Sequence, residues 1–327
     1  MIQAALNVFK LPYIIDSKDD IGNYTLYHLK AIGSGATLNR LKARLDDIKA
    51  YTGQQISVQS DINGVSLRVE KQDKETYLFE DYNGYLNNYP NYKLPFMIGL
   101  TENGVVVDDL AKCPHLLIAG TTGSGKSSYL HTLILSLMYK NCGLFLVDCK
   151  RVEFSVYEDR CNVCYDVQEA NTFINFLIEE IERRYKAMQQ AGVNTFEDYK
   201  QLNPDTKYFV LVVDELADLI STKQAQKNIV PKLLRIAQIG RAAGVHMVLA
   251  TQRPDTSVIN GTLKGNIPTR ISFNVASRFD SQVVLDRSGA ENLNGNGDGL
   301  YLKNGQKDLI RFQSTYISME ALQDWAK

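Results

Sequence analysis

Apolar positions change their rhythm about a third of the way along the chain. Leu38, Leu41, Leu45 and Ile48 recur at three- and four-residue steps, which predicts one amphipathic helix over residues 38–51. Ile56 and Val58, then Val65, Leu67 and Val69, alternate with polar neighbours, and Asn63-Gly64 between the runs is a two-residue hairpin signal. Residues 25–75 therefore read as a small α+β unit. Tyr77, Tyr82, Tyr85, Tyr89 and Tyr92 follow among Asn, Gly and Pro, the mark of an irregular connector packing its rings on a neighbouring domain. From residue 115 onward, short apolar runs alternate with helical patterns, the signature of a mostly parallel sheet flanked by helices. The expected strands are 115–119, 143–147, 208–213, 245–250 and 269–275. Helices are expected over 126–140, 168–190 and about 226–243, and a closing hairpin over 299–302 and 308–312. The expected division is a small α+β domain with its connector at 1–94 and an α/β domain at 95–327.

Length and charge narrow the function classes. A chain of 327 residues with 44% hydrophobic and 22% charged residues can bury two cores. With 36 Lys+Arg against 37 Asp+Glu, no global basic field favours nucleic acid or anionic membrane, so any such binding falls to local patches. No apolar run approaches the roughly 18–20 residues of a membrane span, and residues 1–10 lack the features of a signal peptide, so a cytoplasmic chain is expected. The five cysteines, with only Cys161 and Cys164 at CxxC spacing and no second pair, read as ordinary reduced thiols.

Gly120-Thr121-Thr122-Gly123-Ser124-Gly125-Lys126-Ser127 fits the phosphate-binding pattern GxxxxGK[ST], after an apolar strand and before a helix. Glycines let the backbone curl so that successive N–H groups, on to Ser128, face phosphates, and the positive end of the following helix adds to the attraction. The residues predict an ATP site in which Lys126 reaches the β- and γ-phosphates and the Ser127 hydroxyl ligates Mg2+. The run Tyr208–Val213 ends in Asp214-Glu215, where a parallel sheet delivers carboxylates. Asp214 is expected on Mg2+ and Glu215 on the attacking water. The next strand runs into Thr251-Gln252-Arg253-Pro254, which makes Gln252 a candidate sensor of the γ-phosphate.

These motifs occur in a recognisable order. His115–Ser127, Val212–Leu219, Arg241-Ala242-Ala243-Gly244-Val245-His246, Ala250–Pro254, Asn266–Ile271 and Gly297–Leu302 together resemble the motor domain of the FtsK/SpoIIIE family of DNA translocases. The resemblance covers roughly residues 95–303, and the helix and hairpin before it resemble, more weakly, the small domain preceding that motor. It implies a RecA-like P-loop ATPase that assembles as a homo-oligomeric, hexameric ring around double-stranded DNA. Arg241 matches the family's arginine finger, which completes the neighbouring subunit's site; on its own it would read as an arginine offsetting a helix C-terminus. Arg253, Lys264 and Arg278 match basic positions on loops resembling the family's DNA contacts. Asp148-Cys149-Lys150 stands where the family has Asp-Pro-Lys, and residues 157–165 have lost its usual pattern. The compactness implies an excised motor or a stand-alone one of the kind carried by plasmids and conjugative elements, with membrane-bound or conjugation partners. The alternatives are an ATPase of a protein-export system and a nucleotide-binding assembly module, against which Lys126, Asp214 and Glu215 argue.

Overall fold

The computed structural model of the chain describes residues 1–33, 35–61, 64–71 and 75–326. It divides into two compact units, Met1–Thr76 and Tyr77–Lys327.

In the first unit, strands β1 (Tyr13–Ile21), β2 (Tyr24–Ala31), β3 (Ile56–Asp61) and β4 (Gly64–Glu70) form an antiparallel sheet in the order β1-β2-β4-β3. Leu41, Ile48, Ile56, Leu67 and Val69 are buried together with Ile2 and Leu6 of the helix Ile2–Val8. The stripe expected to form one helix forms two, Leu38–Ala43 and Leu45–Thr52. The chain breaks at Arg44, whose φ of −107° and ψ of 7° leave the helical region, and Asp46 and Asp47 occupy the first turn of the second helix, where negative charge is favoured. Asp61 pairs with Gly64 across the β3–β4 hairpin; Asn63 of the expected turn lies outside the described residues.

The second unit is built on a ten-stranded sheet. Its strands are β5 (Pro95–Thr101), β6 (Gly104–Asp109), β7 (His115–Ala119), β8 (Gly143–Val147), β9 (Asn162–Cys164), β10 (Phe209–Val213), β11 (Val245–Thr251), β12 (Thr269–Ser272), β13 (Asp298–Leu302) and β14 (Ile310–Gln313). They lie in the order β6-β5-β14-β13-β12-β7-β11-β10-β8-β9. From β12 to β9 every pairing is parallel, whereas β13, β14, β5 and β6 extend the sheet antiparallel.

The central strands β7, β8, β10 and β11 are mostly apolar because both faces are covered, with His115, His246 and Thr251 as buried polar exceptions near their ends. Leu116 and Ile118 of β7, with Val210 and Val212 of β10, enter one core beside the helix Lys126–Met138. Leu117, Ala119, Leu211 and Val213 enter the opposite core, against the helices Val167–Ala191 and Lys223–Ile239. Residues 77–94, expected to go with the N-terminal domain, pack with this unit: Phe79, Leu86 and Leu94 are buried in its core, and Tyr82, Tyr89 and Tyr92 pack against it. All five cysteines are free. No helix among the described residues is long and apolar enough to cross a membrane.

Candidate nucleotide site

The glycine-rich loop leaves β7 and is tied down on both sides. Gly120 N–H donates to Thr251 O at 3.2 Å, and the Thr121 N–H and hydroxyl both donate to Asn274 O, at 2.9 and 3.1 Å. From below, Gly297 N–H donates to Ser124 O at 2.8 Å and Asn296 N–H to Gly123 O at 3.3 Å. That contact explains Gly125: its φ is 101°, and a Cβ there would run into the Gly297 nitrogen. Immediately afterwards, the helix Lys126–Met138 begins, and its first N–H groups have no acceptor within the helix. The Ser124 and Ser128 hydroxyl oxygens are buried with no hydrogen-bond partner among the described residues. Unpaired donors at a helix N-terminus, a lysine and a buried carboxylate make a donor set that fits a nucleotide phosphate with its divalent cation.

Strand order sets the acidic pair two places away, with β11 between. The Lys126 ammonium donates to both the backbone oxygen and Oδ1 of Asp214, each at 2.8 Å, with the two residues 2% and 3% exposed. Burial pushes the Asp214 carboxyl up, against the pull of Lys126. Glu215 accepts from the Thr251 hydroxyl at 2.6 Å, Gln252 N–H at 2.8 Å and Ala217 N–H at 3.2 Å. It thereby fixes the end of β11, and the Gln252 Oε1 accepts from the Thr122 hydroxyl of the phosphate loop at 3.0 Å. Lys126, Asp214, Glu215 and Gln252 thus converge on one site.

Beside the site, Asp148 comes from the segment that stands in for the family's Asp-Pro-Lys, whereas Glu153 and His131 carry no motif that would have disclosed them. Asp148 is buried and accepts the N–H groups of Glu153 and Phe154 at 2.8 and 3.0 Å, turning the chain back toward the phosphate-loop helix. There His131 Nε2 lies 3.4 Å from Glu153 Oε2, and its Nδ1 lies 3.0 Å from the Tyr157 hydroxyl. The His131 contact, and behind it the Ser127 hydroxyl, holds the Glu153 carboxyl below its ordinary range. Cys149 fills the position where the family has proline, and burial raises its thiol to about 11.

The remaining expected residues lie apart from that cluster. Arg241 is exposed in the turn before β11, whereas the phosphate loop sits at the far end of that seven-residue strand, about 20 Å away. It cannot serve its own site. Arg253 and Arg278 are exposed, and Arg278 opens the helix Arg278–Leu285, where a cation opposes the helix dipole. Lys264, expected on the DNA path, is otherwise engaged: its ammonium donates to Val283 O at 3.0 Å and pairs with Asp286 at 2.7 Å, capping that same helix.

A phosphate loop on a parallel strand, with an acidic pair two strands over and a polar strand end between them, defines a P-loop ATPase of the RecA-like α/β class. Within that class the chain belongs to the FtsK/SpoIIIE family, whose profile matches residues 83–256. A DNA translocase FtsK of Clostridium tetani (strain Massachusetts / E88) is 39% identical over 311 residues, 88% of this chain and 41% of that protein. DNA translocase SftA of Bacillus subtilis (strain 168) is 36% identical over 304 residues, 87% of this chain and 32% of that one. The chain therefore spans less than half the length of these relatives. Among solved structures, the pCW3 conjugation coupling protein TcpA, in a monomer form with ATPγS, superposes with a TM-score of 0.71 at 23% identity over 98% of this chain and 95% of that one. The cytoplasmic domain of the Thermomonospora curvata type VII secretion ATPase EccC gives 0.61 at 26% identity over 72% and 30%.

Proposed function

We propose that the chain hydrolyses ATP to move double-stranded DNA, working as one subunit of a hexameric cytoplasmic ring. The observation that carries the ATPase is the buried Lys126–Asp214 pair at the mouth of the phosphate loop. Lys126 neutralises the transferring phosphoryl group, and the backbone N–H groups from Gly123 to Ser128 hold the remaining phosphate oxygens. Ser127 and Asp214 would hold Mg2+, which when bound supplies further positive charge to that group. Glu215 orients the water, and its grip on Gln252 N–H, together with the Gln252–Thr122 contact, links the state of the phosphate loop to β11. Arg241, out of reach of its own loop, acts on the neighbouring subunit's γ-phosphate. Arg253 and Arg278 supply the DNA contacts; in a ring each is repeated around the channel, so a chain of net charge −1 still holds phosphates. The unit Tyr77–Lys327 constitutes the motor, and plasmid or conjugative DNA transfer is its proposed setting.

The decisive experiment measures ATP turnover with double-stranded DNA, with single-stranded DNA and with neither. Strong stimulation by the duplex is expected. Turnover indifferent to DNA would favour a protein-export ATPase, the reading that similarity to EccC supports.

A further inference from the structure

The long helix Val167–Ala191 carries an arginine for which the nucleotide site has no use. Arg184 is 1% exposed. Its guanidinium donates to the Glu180 carboxylate and the Ala243 oxygen, both at 2.7 Å, and to the Lys207 oxygen at 2.8 Å. It also lies 4.7 and 4.5 Å from the ring centroids of Phe196 and Phe209. The next residue, Tyr185, donates its hydroxyl to the Ile239 oxygen at 2.9 Å.

Ile239 and Ala243 bracket Arg241, so two consecutive side chains of one helix grip both ends of the turn that carries it. The turn has little slack. A Cβ on Gly240 would meet the Val245 oxygen at 2.6 Å, and one on Gly244, at φ 69°, would run into the Phe196 ring on which Arg184 stacks. Burying a guanidinium is costly unless all its donors are used. A left-handed glycine alone ends the Val167–Ala191 helix at Gly192, so halting the chain before β11 does not by itself require a buried arginine.

We infer that Arg184 and Tyr185 are positioning residues for Arg241, fixing its turn so that the guanidinium is presented to a neighbouring subunit in one orientation. The inference rests on the reading of Arg241 as acting across an interface. A displacement near 1 Å can cost about a hundredfold in rate, so a rigid mount matters more than added contacts.

The test combines steady-state ATPase, affinity for ATPγS and subunit mixing on the full chain. Arg184→Lys keeps the charge but loses the fork of donors, and Tyr185→Phe removes one hydroxyl. kcat should fall about tenfold and about fivefold respectively, with ATPγS affinity unchanged. Mixed with Lys126→Ala subunits, each variant should regain turnover, because its intact phosphate loop then faces an undisturbed Arg241. Mixed with Arg241→Ala subunits, neither should, because both partners are then defective on the same face. Unchanged kcat in both variants beside a slow Arg241→Ala would overturn this inference alone, as would rescue by Arg241→Ala or none by Lys126→Ala. Should Arg184→Lys fail to fold, Tyr185→Phe carries the same comparison. Wild-type turnover by Arg241→Ala would instead remove the reading on which the inference rests.

Discussion

Removing the Lys126 ammonium does more than disable a phosphate site, because Asp214 loses its cation in a place water hardly reaches. The two are 2% and 3% exposed and bonded at 2.8 Å, and burial already raises the Asp214 carboxyl. Breaking such a pair from one side costs about 3–5 kcal/mol. At about 2–4 °C per kcal/mol for a unit of this size, Lys126→Ala should lower the melting temperature by roughly 6–20 °C. A Lys126→Met/Asp214→Asn double variant removes both charges and should recover most of that loss while remaining inactive. Calorimetry and urea unfolding of wild type, Lys126→Met, Asp214→Asn and the double variant close a double-mutant cycle, in which the coupling should exceed about 2 kcal/mol. Phosphate release measured alongside separates stability from catalysis. The reasoning fails if Lys126→Ala melts within about a degree of wild type, or if the double variant is no more stable than Lys126→Ala.

Glu215→Gln should still bind ATP but not turn it over, and filter retention of ATP-bound oligomer checks this; wild-type turnover would take Glu215 out of the reaction. Arg253→Ala and Arg278→Ala should weaken duplex binding alike for all sequences and flatten the salt dependence by about 0.9 per lost phosphate contact, read from titrations at several salt concentrations. Lys264→Ala should act mainly on thermal stability, since it uncaps the helix Arg278–Leu285. His115 and His246 are buried at the starts of β7 and β11, and burial lowers them from 6.5 to about 3 and about 4. Below pH 6.5 the unfolded chain therefore takes up protons that the folded one refuses, so stability should fall by about 1.4 kcal/mol per histidine for each pH unit down to about pH 4. Urea midpoints that stay flat from pH 7 to 5 would contradict this.

The central strands were legible because a strand covered on both faces is apolar along nearly all its length: β10 is wholly so, and β7 and β11 depart from it only at His115, His246 and Thr251. The phosphate loop and Asp214-Glu215 were legible for a related reason, since their chemistry is confined to adjacent residues. β1 gave no such signal: Asp16-Ser17-Lys18-Asp19-Asp20 forms a largely exposed edge strand, paired through its backbone with β2. The break at Arg44 lies within an unbroken apolar stripe, so periodicity alone reads through it. Glu153 and His131, or Arg184 and the Ala243 oxygen 59 positions away, meet only because the sheet brings them together. Lys264 shows the converse, a basic residue whose place in a motif said nothing of the carbonyl groups that would claim it.

The hydrogen bonds that Gly123 and Ser124 accept from Asn296 and Gly297 tie the floor of the phosphate loop to the turn that leads into the β13–β14 hairpin. Gln313 donates to the Asn296 oxygen at 2.7 Å and Ser314 N–H to the Gly297 oxygen at 2.8 Å, so the floor is fastened in turn to the end of β14. β14 pairs with β5, on the antiparallel flank and away from the acidic strand. The loop therefore has two mechanical outputs: the Thr122–Gln252 contact faces the parallel strands, and the floor made by the Gly123–Asn296 and Ser124–Gly297 bonds faces the antiparallel ones. Any reshaping of Gly123 and Ser124 as phosphate arrives or leaves must either break two backbone bonds or carry the hairpin with it. In engineering terms the loop is a crank with a connecting rod on each side, and the second rod ends in the part of the sheet that takes no part in the chemistry.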